Sequence, residues 1–120
     1  MTPTELFFRL RATRYFRRLQ DSELATFAGL VNVWKLENDE EKVLLRKGES
    51  AMAFWIVLRK EEVELVGWES LLLNKSSEQT VKAVTGETIL MLPKPVFHRF
   101  VRECPDFLIG LLNQKMEGGE

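Results

Sequence analysis

The residues able to do chemistry are few and scattered. His98 is the only histidine and Cys104 the only cysteine of the chain. Catalytic and structural metal sites draw three or four ligands from histidine, cysteine and carboxylates, which a lone imidazole without an acidic cluster beside it does not supply. His98 falls on the polar side of its segment. Cys104 falls on the apolar side and reads as a buried structural thiol. Ser76 and Ser77 have no base partner and sit with Asn74 and Lys75 in a polar turn. Trp68 is either a stacking platform for a flat ligand or a pocket-filling aromatic, and the apolar Leu71 to Leu73 beside it favour the second. The remaining candidate is a basic stretch, Arg9, Arg11, Arg14, Arg17 and Arg18. Five arginines against Glu5 alone give the first twenty residues a net charge of +4. Such a face suits phospholipid, an acidic partner or nucleic acid, and is equally what a solvated helix face looks like.

With 120 residues, 45% of them hydrophobic, the chain is long enough for one domain with its own core and too short for two. The overall net charge of -1 gives no global attraction to nucleic acid or to an anionic membrane. A single cysteine excludes an internal disulfide and fits a reducing compartment, so a cytoplasmic location is expected. No apolar run reaches the length of a membrane span, and the early arginines interrupt any signal-like segment.

Thr2-Pro3-Thr4-Glu5 has the form of a capping box opening a helix that carries Leu6 and Leu10 and breaks before Asp21. A second helix, capped by Asp21 or Ser22, carries Leu24, Phe27 and Ala28 and ends near Gly29. From there the texture is that of strands, expected near Leu30 to Leu36, Lys42 to Arg46, Phe54 to Arg59, Glu62 to Val66, Thr80 to Val84 and Glu87 to Leu92. The charged run Glu37 to Glu41 reads as a solvated turn. Lys94-Pro95 opens a helix with Phe97, Phe100, Val101 and Cys104 on one apolar face. Pro105 stops it and starts a last helix, with Leu108, Leu111 and Leu112 on one side. The chain is therefore expected to be one domain over 1–120, with helices over 3–29, a β-roll over 30–92 and helices over 94–116.

This order resembles the cyclic nucleotide-binding domain family, an eight-stranded jelly roll flanked by helices. Tyr15 to Leu24 is similar to the family's leading helix, Lys42 to Glu49 to a strand and glycine turn, and Phe54 to Leu58 to a strand of the roll. The segment from Gly67 to Ala83 aligns without a gap to the phosphate-binding cassette, keeping Gly67, Ser70, Leu71, Thr80, Val81 and Ala83 in place. The family's glutamate falls on Trp68 and its arginine on Ser77. An enclosed cyclic phosphate needs a paired cation, and a ribose hydroxyl needs an acceptor that an indole lacks. Glu69, one residue along, would point elsewhere. The resemblance further implies a pair of strands before the cassette that this chain lacks, which exposes strand edges. Turn glycines implied near Asn38 and Lys60 are missing too. The fold class expected is thus mainly β with flanking helices, an abridged jelly roll of the cyclic nucleotide-binding-like type.

The cassette positions Gly67, Trp68, Glu69, Ser70, Ser77, Gln79 and Thr80 are accordingly expected to hold no cofactor, and no catalytic residue or metal site is assigned. The first reading is a regulatory or protein-docking module unable to bind cAMP or cGMP. A second is a small-molecule or cyclic nucleotide sensor keeping a ligand on Trp68 and the backbone amides. A third is a binder of a membrane or an acidic partner through the basic helix. The Gly-Trp-x-Ser-Leu form resembles a divergent branch found as N-terminal appendages of bacterial ABC exporters. That implies a larger parent chain of this kind, or a protein partner, with a homodimer as another arrangement.

Overall fold

The computed structural model describes residues 1–37, 41–60 and 62–118. The elements run α1 (Pro3–Arg11), a 3-10 turn (Arg14–Phe16), α2 (Asp21–Leu30), β1 (Asn32–Lys35), β2 (Glu41–Leu45), β3 (Ala53–Leu58), β4 (Val63–Val66), α3 (Trp68–Leu73), β5 (Val81–Val84), β6 (Thr88–Pro93), α4 (Lys94–Glu103) and α5 (Pro105–Gly118). The chain divides into two compact units, Met1–Leu30 with Arg99–Glu120, and Val31–His98.

The strand unit is an abridged roll. Among the described residues it has a four-stranded antiparallel sheet ordered β1-β6-β3-β4 and a two-stranded sheet, β2-β5. All six strands lie where the valine, leucine and tryptophan runs place them. β3 is buried along nearly its whole length because it is flanked on both sides, by β4 and β6, and its side chains Phe54, Ile56 and Val57 are almost fully enclosed. The edge strand β1 is exposed at every residue. Its short length and its charged end, Lys35, blunt it against pairing with other chains.

The β3–β4 hairpin turns without a glycine. The Arg59 amide donates to the Glu62 carbonyl (2.9 Å), and the Arg59 guanidinium pairs with Glu64 (2.5 Å) and Glu87 (2.6 Å). Glu61 lies outside the described residues, as do residues 38–40 of the expected solvated turn. Between the two sheets, the Lys42 ammonium of β2 sits 5.7 Å and 5.6 Å from the ring centres of Trp34 and Trp55, which are 5.9 Å apart. Lys42 thereby covers indole surface that β1 and β3 leave half open.

The helical unit is built on phenylalanine. Phe16, Phe27, Phe100 and Phe107 are all buried, with neighbouring ring centres 5.2 to 5.6 Å apart. Aromatic contacts of this kind add to the area buried. The Thr2 cap forms as expected, its hydroxyl accepting from the Glu5 amide at 3.1 Å.

The first helix breaks before Asp21 as expected, already at Arg11, while two other local expectations are corrected. Thr13 is extended and its hydroxyl donates to the Leu10 carbonyl, turning the chain so that Phe16 can enter the core. The second helix is capped from Gln20, whose amide donates to the Glu23 carboxylate at 2.8 Å, the returning half of a capping box. On α5 the buried face is Phe107 and Leu111, while Leu112 is 42% exposed. Gly110 fits this rotation, since it lets α5 lie close to the 3-10 turn, where a Cβ would meet the Tyr15 carbonyl oxygen at a tight 3.1 Å.

Cys104 lies in this unit and is buried, its thiol donating to Glu23 at 3.0 Å. Burial first, then the Glu23 hydrogen bond, push the thiol up from its ordinary 9.0 to about 12. The same bond and the Gln20 amide hold the Glu23 carboxyl below its usual range. Because the raised pKa favours the protonated thiol in the folded state, its stabilisation is complete below pH 9.0 and is lost as pH rises towards about 12. Urea unfolding across this window is expected to show a steeper loss of stability for the parent than for Cys104→Ala. Identical slopes would remove the thiol from the account.

Candidate functional site

The cassette residues gather where β4 hands over to α3. Gly67 caps the helix in the left-handed region, with φ at +91°, and a Cβ there would lie 2.9 Å from the Ala53 carbonyl oxygen. Position 67 is therefore closed to any other residue by two independent constraints. The helix that follows is only six residues long and ends at Asn74, also left-handed at φ 53°. It was not expected from the sequence as a helix.

Ser70, on the buried side of α3, has its hydroxyl fully engaged. It accepts from the Ala51 amide at 2.8 Å and donates to the Lys75 carbonyl at 2.6 Å. Ser77 is equally committed. Its amide donates to Glu49 (2.9 Å), its carbonyl accepts from Gly48 (2.8 Å), and its hydroxyl bridges the amide and carbonyl of Gln79. Thr80 accepts from the Lys47 amide at 3.0 Å. The segments 47–49 and 77–80 are thus zipped together.

These residues enclose a cleft of about 240 Å³ lined by Gly67, Trp68, Glu69, Ser70, Ser77 and Gln79, joined by Leu45, Glu64, Lys75 and Glu78. Thr80, expected with them, does not line it. Trp68 and Glu69 are half-buried, so the indole contributes a wall, while Leu73 of the neighbouring apolar run is 54% exposed. The charged lining is Glu64, Glu69, Glu78 and one cation, Lys75. Lys75 pairs with Glu69 at 3.5 Å. The carboxylates Glu64 and Glu78 had no sequence signal: Glu64 alternates like any solvent-facing strand residue, and Glu78 belongs to a turn.

The other candidates fall elsewhere. His98 is half-buried with its ring edge on Phe97, 5.8 Å between centres. Among the described residues no group of histidine, cysteine and carboxylate side chains could hold a metal ion, and no helix is long and apolar enough to cross a membrane. The basic residues belong to the helical unit, and Arg11 is not part of an outward face. Its guanidinium donates to the Phe16 carbonyl (3.0 Å) and pairs with Asp21 (2.8 Å), tying the end of α1 to the turn and to α2. Arg9 is half-buried, and Arg14, Arg17 and Arg18 are exposed.

No protein-family profile and no curated protein sequence matches the chain. Solved structures do. The regulatory subunit of a cAMP-independent protein kinase A from Trypanosoma brucei superposes with a TM-score of 0.70 at 15% identity, over 95% of this chain and 47% of that one. The Trypanosoma cruzi counterpart, bound to guanosine, gives 0.68 at 14% identity, over 96% and 46%. The sensor domain of the transcriptional regulator DNR from Pseudomonas aeruginosa gives 0.62 at 16% identity, over 92% and 91%. The chain has the fold of cyclic nucleotide-binding domains. It spans about half the length of the kinase subunits and nearly all of the DNR sensor domain. The described strands number six where the family resemblance implies eight.

Two substitutions probe the handover at α3. Gly67→Ala is expected to destabilise the protein by roughly 2 to 4 kcal/mol, through the left-handed backbone and the carbonyl contact together. Ser70→Ala is expected to cost about 1 to 3 kcal/mol by stranding the Ala51 amide and the Lys75 carbonyl. Urea denaturation measures both, and a loss under about 0.5 kcal/mol for either would contradict the assigned contacts.

Proposed function

We propose that this chain is a non-catalytic regulatory or protein-docking module whose cleft does not hold a cyclic nucleotide. One observation carries the reading: the cleft at the cassette is lined by three carboxylates, its single lysine is already paired with Glu69, and the Arg59 guanidinium beside Glu64 is shared with Glu87. A cyclic phosphate placed there would lose its hydration and meet net negative charge, a penalty of several kcal/mol. Ser77, at the position where the resemblance calls for arginine, has no donor to spare for a phosphate, its hydroxyl donating to the Gln79 carbonyl and its amide to Glu49. The T. brucei neighbour is the regulatory subunit of a kinase called cAMP-independent, which supports a regulatory role on this fold without that ligand. Such a module acts on a protein partner or on its own parent chain, a bacterial ABC exporter being the kind the cassette sequence resembles. A cytoplasmic setting suits its one free thiol.

A second reading is favoured by Trp68 and the cleft's size. An uncharged planar ligand escapes the electrostatic objection, and the T. cruzi neighbour holds guanosine, which has no phosphate. Here the indole wall would stack on the base.

Calorimetry separates these. No saturable heat is expected for cAMP or cGMP up to the millimolar range with the parent chain. The double variant Trp68→Glu with Ser77→Arg should gain measurable cAMP affinity, about tenfold or more over the parent. Micromolar binding of either cyclic nucleotide by the parent would overturn the first reading. Saturable binding of guanosine alone would favour the second.

A further inference from the structure

Helix α1 carries apolar surface that its own core does not use. Leu6 and Leu10 are buried, whereas Phe8 is 65% exposed. Phe8 and Phe7, in edge-to-face contact, form one wall of a groove of about 360 Å³ whose other wall is Ala25, Ala28 and Gly29 of α2. No charged side chain lines it, and a Cβ added at Gly29 would meet nothing within 4 Å. The chain then leaves α1 through Arg14, Arg17 and Arg18. All three are exposed, and none makes an ion pair with a described residue. With Arg11 held by Asp21, these three supply the accessible positive charge of the segment.

We infer that the helical unit docks on an anionic phospholipid bilayer, with Phe8 entering the interfacial layer, the groove taking acyl methylenes, and Arg14, Arg17 and Arg18 meeting headgroup phosphates. The charge complementarity is local, because the chain as a whole is at -1. A bilayer is favoured over an acidic protein because Phe8 projects from the surface. An aromatic that projects beside an apolar groove, in a segment rich in exposed arginines, matches the composition of interfacial helices, whereas a protein partner would need a pocket moulded to it.

Flotation of the full chain with vesicles of phosphatidylcholine containing about 30 mol % phosphatidylserine tests this, since about one kcal/mol per basic residue is gained near such surfaces. The chain is expected to float with these vesicles and to stay behind with pure phosphatidylcholine. Phe8→Ser should lower the partition coefficient about tenfold. Replacing Arg14, Arg17 and Arg18 together by alanine should lower it about a hundredfold. Both variants alter exposed side chains, and unchanged circular dichroism confirms their folding. Failure of the parent to float, or equal partitioning of Phe8→Ser and the parent, would overturn the proposal. Displacement of the parent and Phe8→Ser alike by polyglutamate would also overturn it, assigning the face to an acidic protein.

Discussion

A single buried hydroxyl organises the cleft. Ser70 joins the Ala51 amide to the Lys75 carbonyl, so the loop before β3, helix α3 and the loop after it are held by one side chain. Gly67 makes this geometry reachable, because its left-handed turn brings α3 against Ala51 and Ala53 at a distance no Cβ tolerates. Trp68 and Glu69 take their places in the cleft as a result. The exchange between Gly48, Glu49 and Ser77 closes the opposite rim. The hydroxyls of Ser70 and Ser77, at positions of a ligand-holding cassette, are here satisfied by the protein itself, so an anion reaching for them would have to break bonds as well as shed water.

The shortened roll sets a second constraint. With β2 and β5 alone in the second sheet, the inner face of the larger sheet has less to pack against. Lys42 resolves part of this by laying its chain and ammonium over Trp34 and Trp55. A lysine does this better than a leucine would, since its end remains solvated while its stem covers the rings. The exposed edge β1 is kept short and ends on a charge, which limits what the abridgement would otherwise invite.

Much of this fold was legible because its signals are local. The six strands follow runs of Val, Leu and Trp, the Thr2 cap follows its four-residue pattern, and the face of α4 follows the spacing of Phe97, Phe100, Val101 and Cys104, all buried. What escaped depends on contacts distant in sequence. The end of α1 is set by Phe16 joining Phe27 and Phe107. The choice of Phe107 over Leu108 as an inward residue depends on how closely Gly110 lets α5 approach Tyr15. A six-residue helix such as α3 is too short to show a period, and it depends on tertiary contacts such as the Ser70 bonds and the burial of Leu71. Of the cleft, the cassette residues were found by their order along the chain, but the carboxylates Glu64 and Glu78 were not, because only the folded chain brings their charges together. Arg11 was grouped with the surface arginines since composition does not distinguish a guanidinium that faces water from one that ties two helices.

The most direct measurement of the central claim is an amide-resolved NMR titration of the chain with cAMP. The amides of Gly67 to Leu71 and of Ser77 to Thr80 are predicted to keep their shifts up to millimolar ligand, because the cleft carries excess negative charge and the amides of Leu71, Ser77 and Gln79 are already bonded within the chain. Saturable shifts confined to those amides at micromolar cAMP would contradict it.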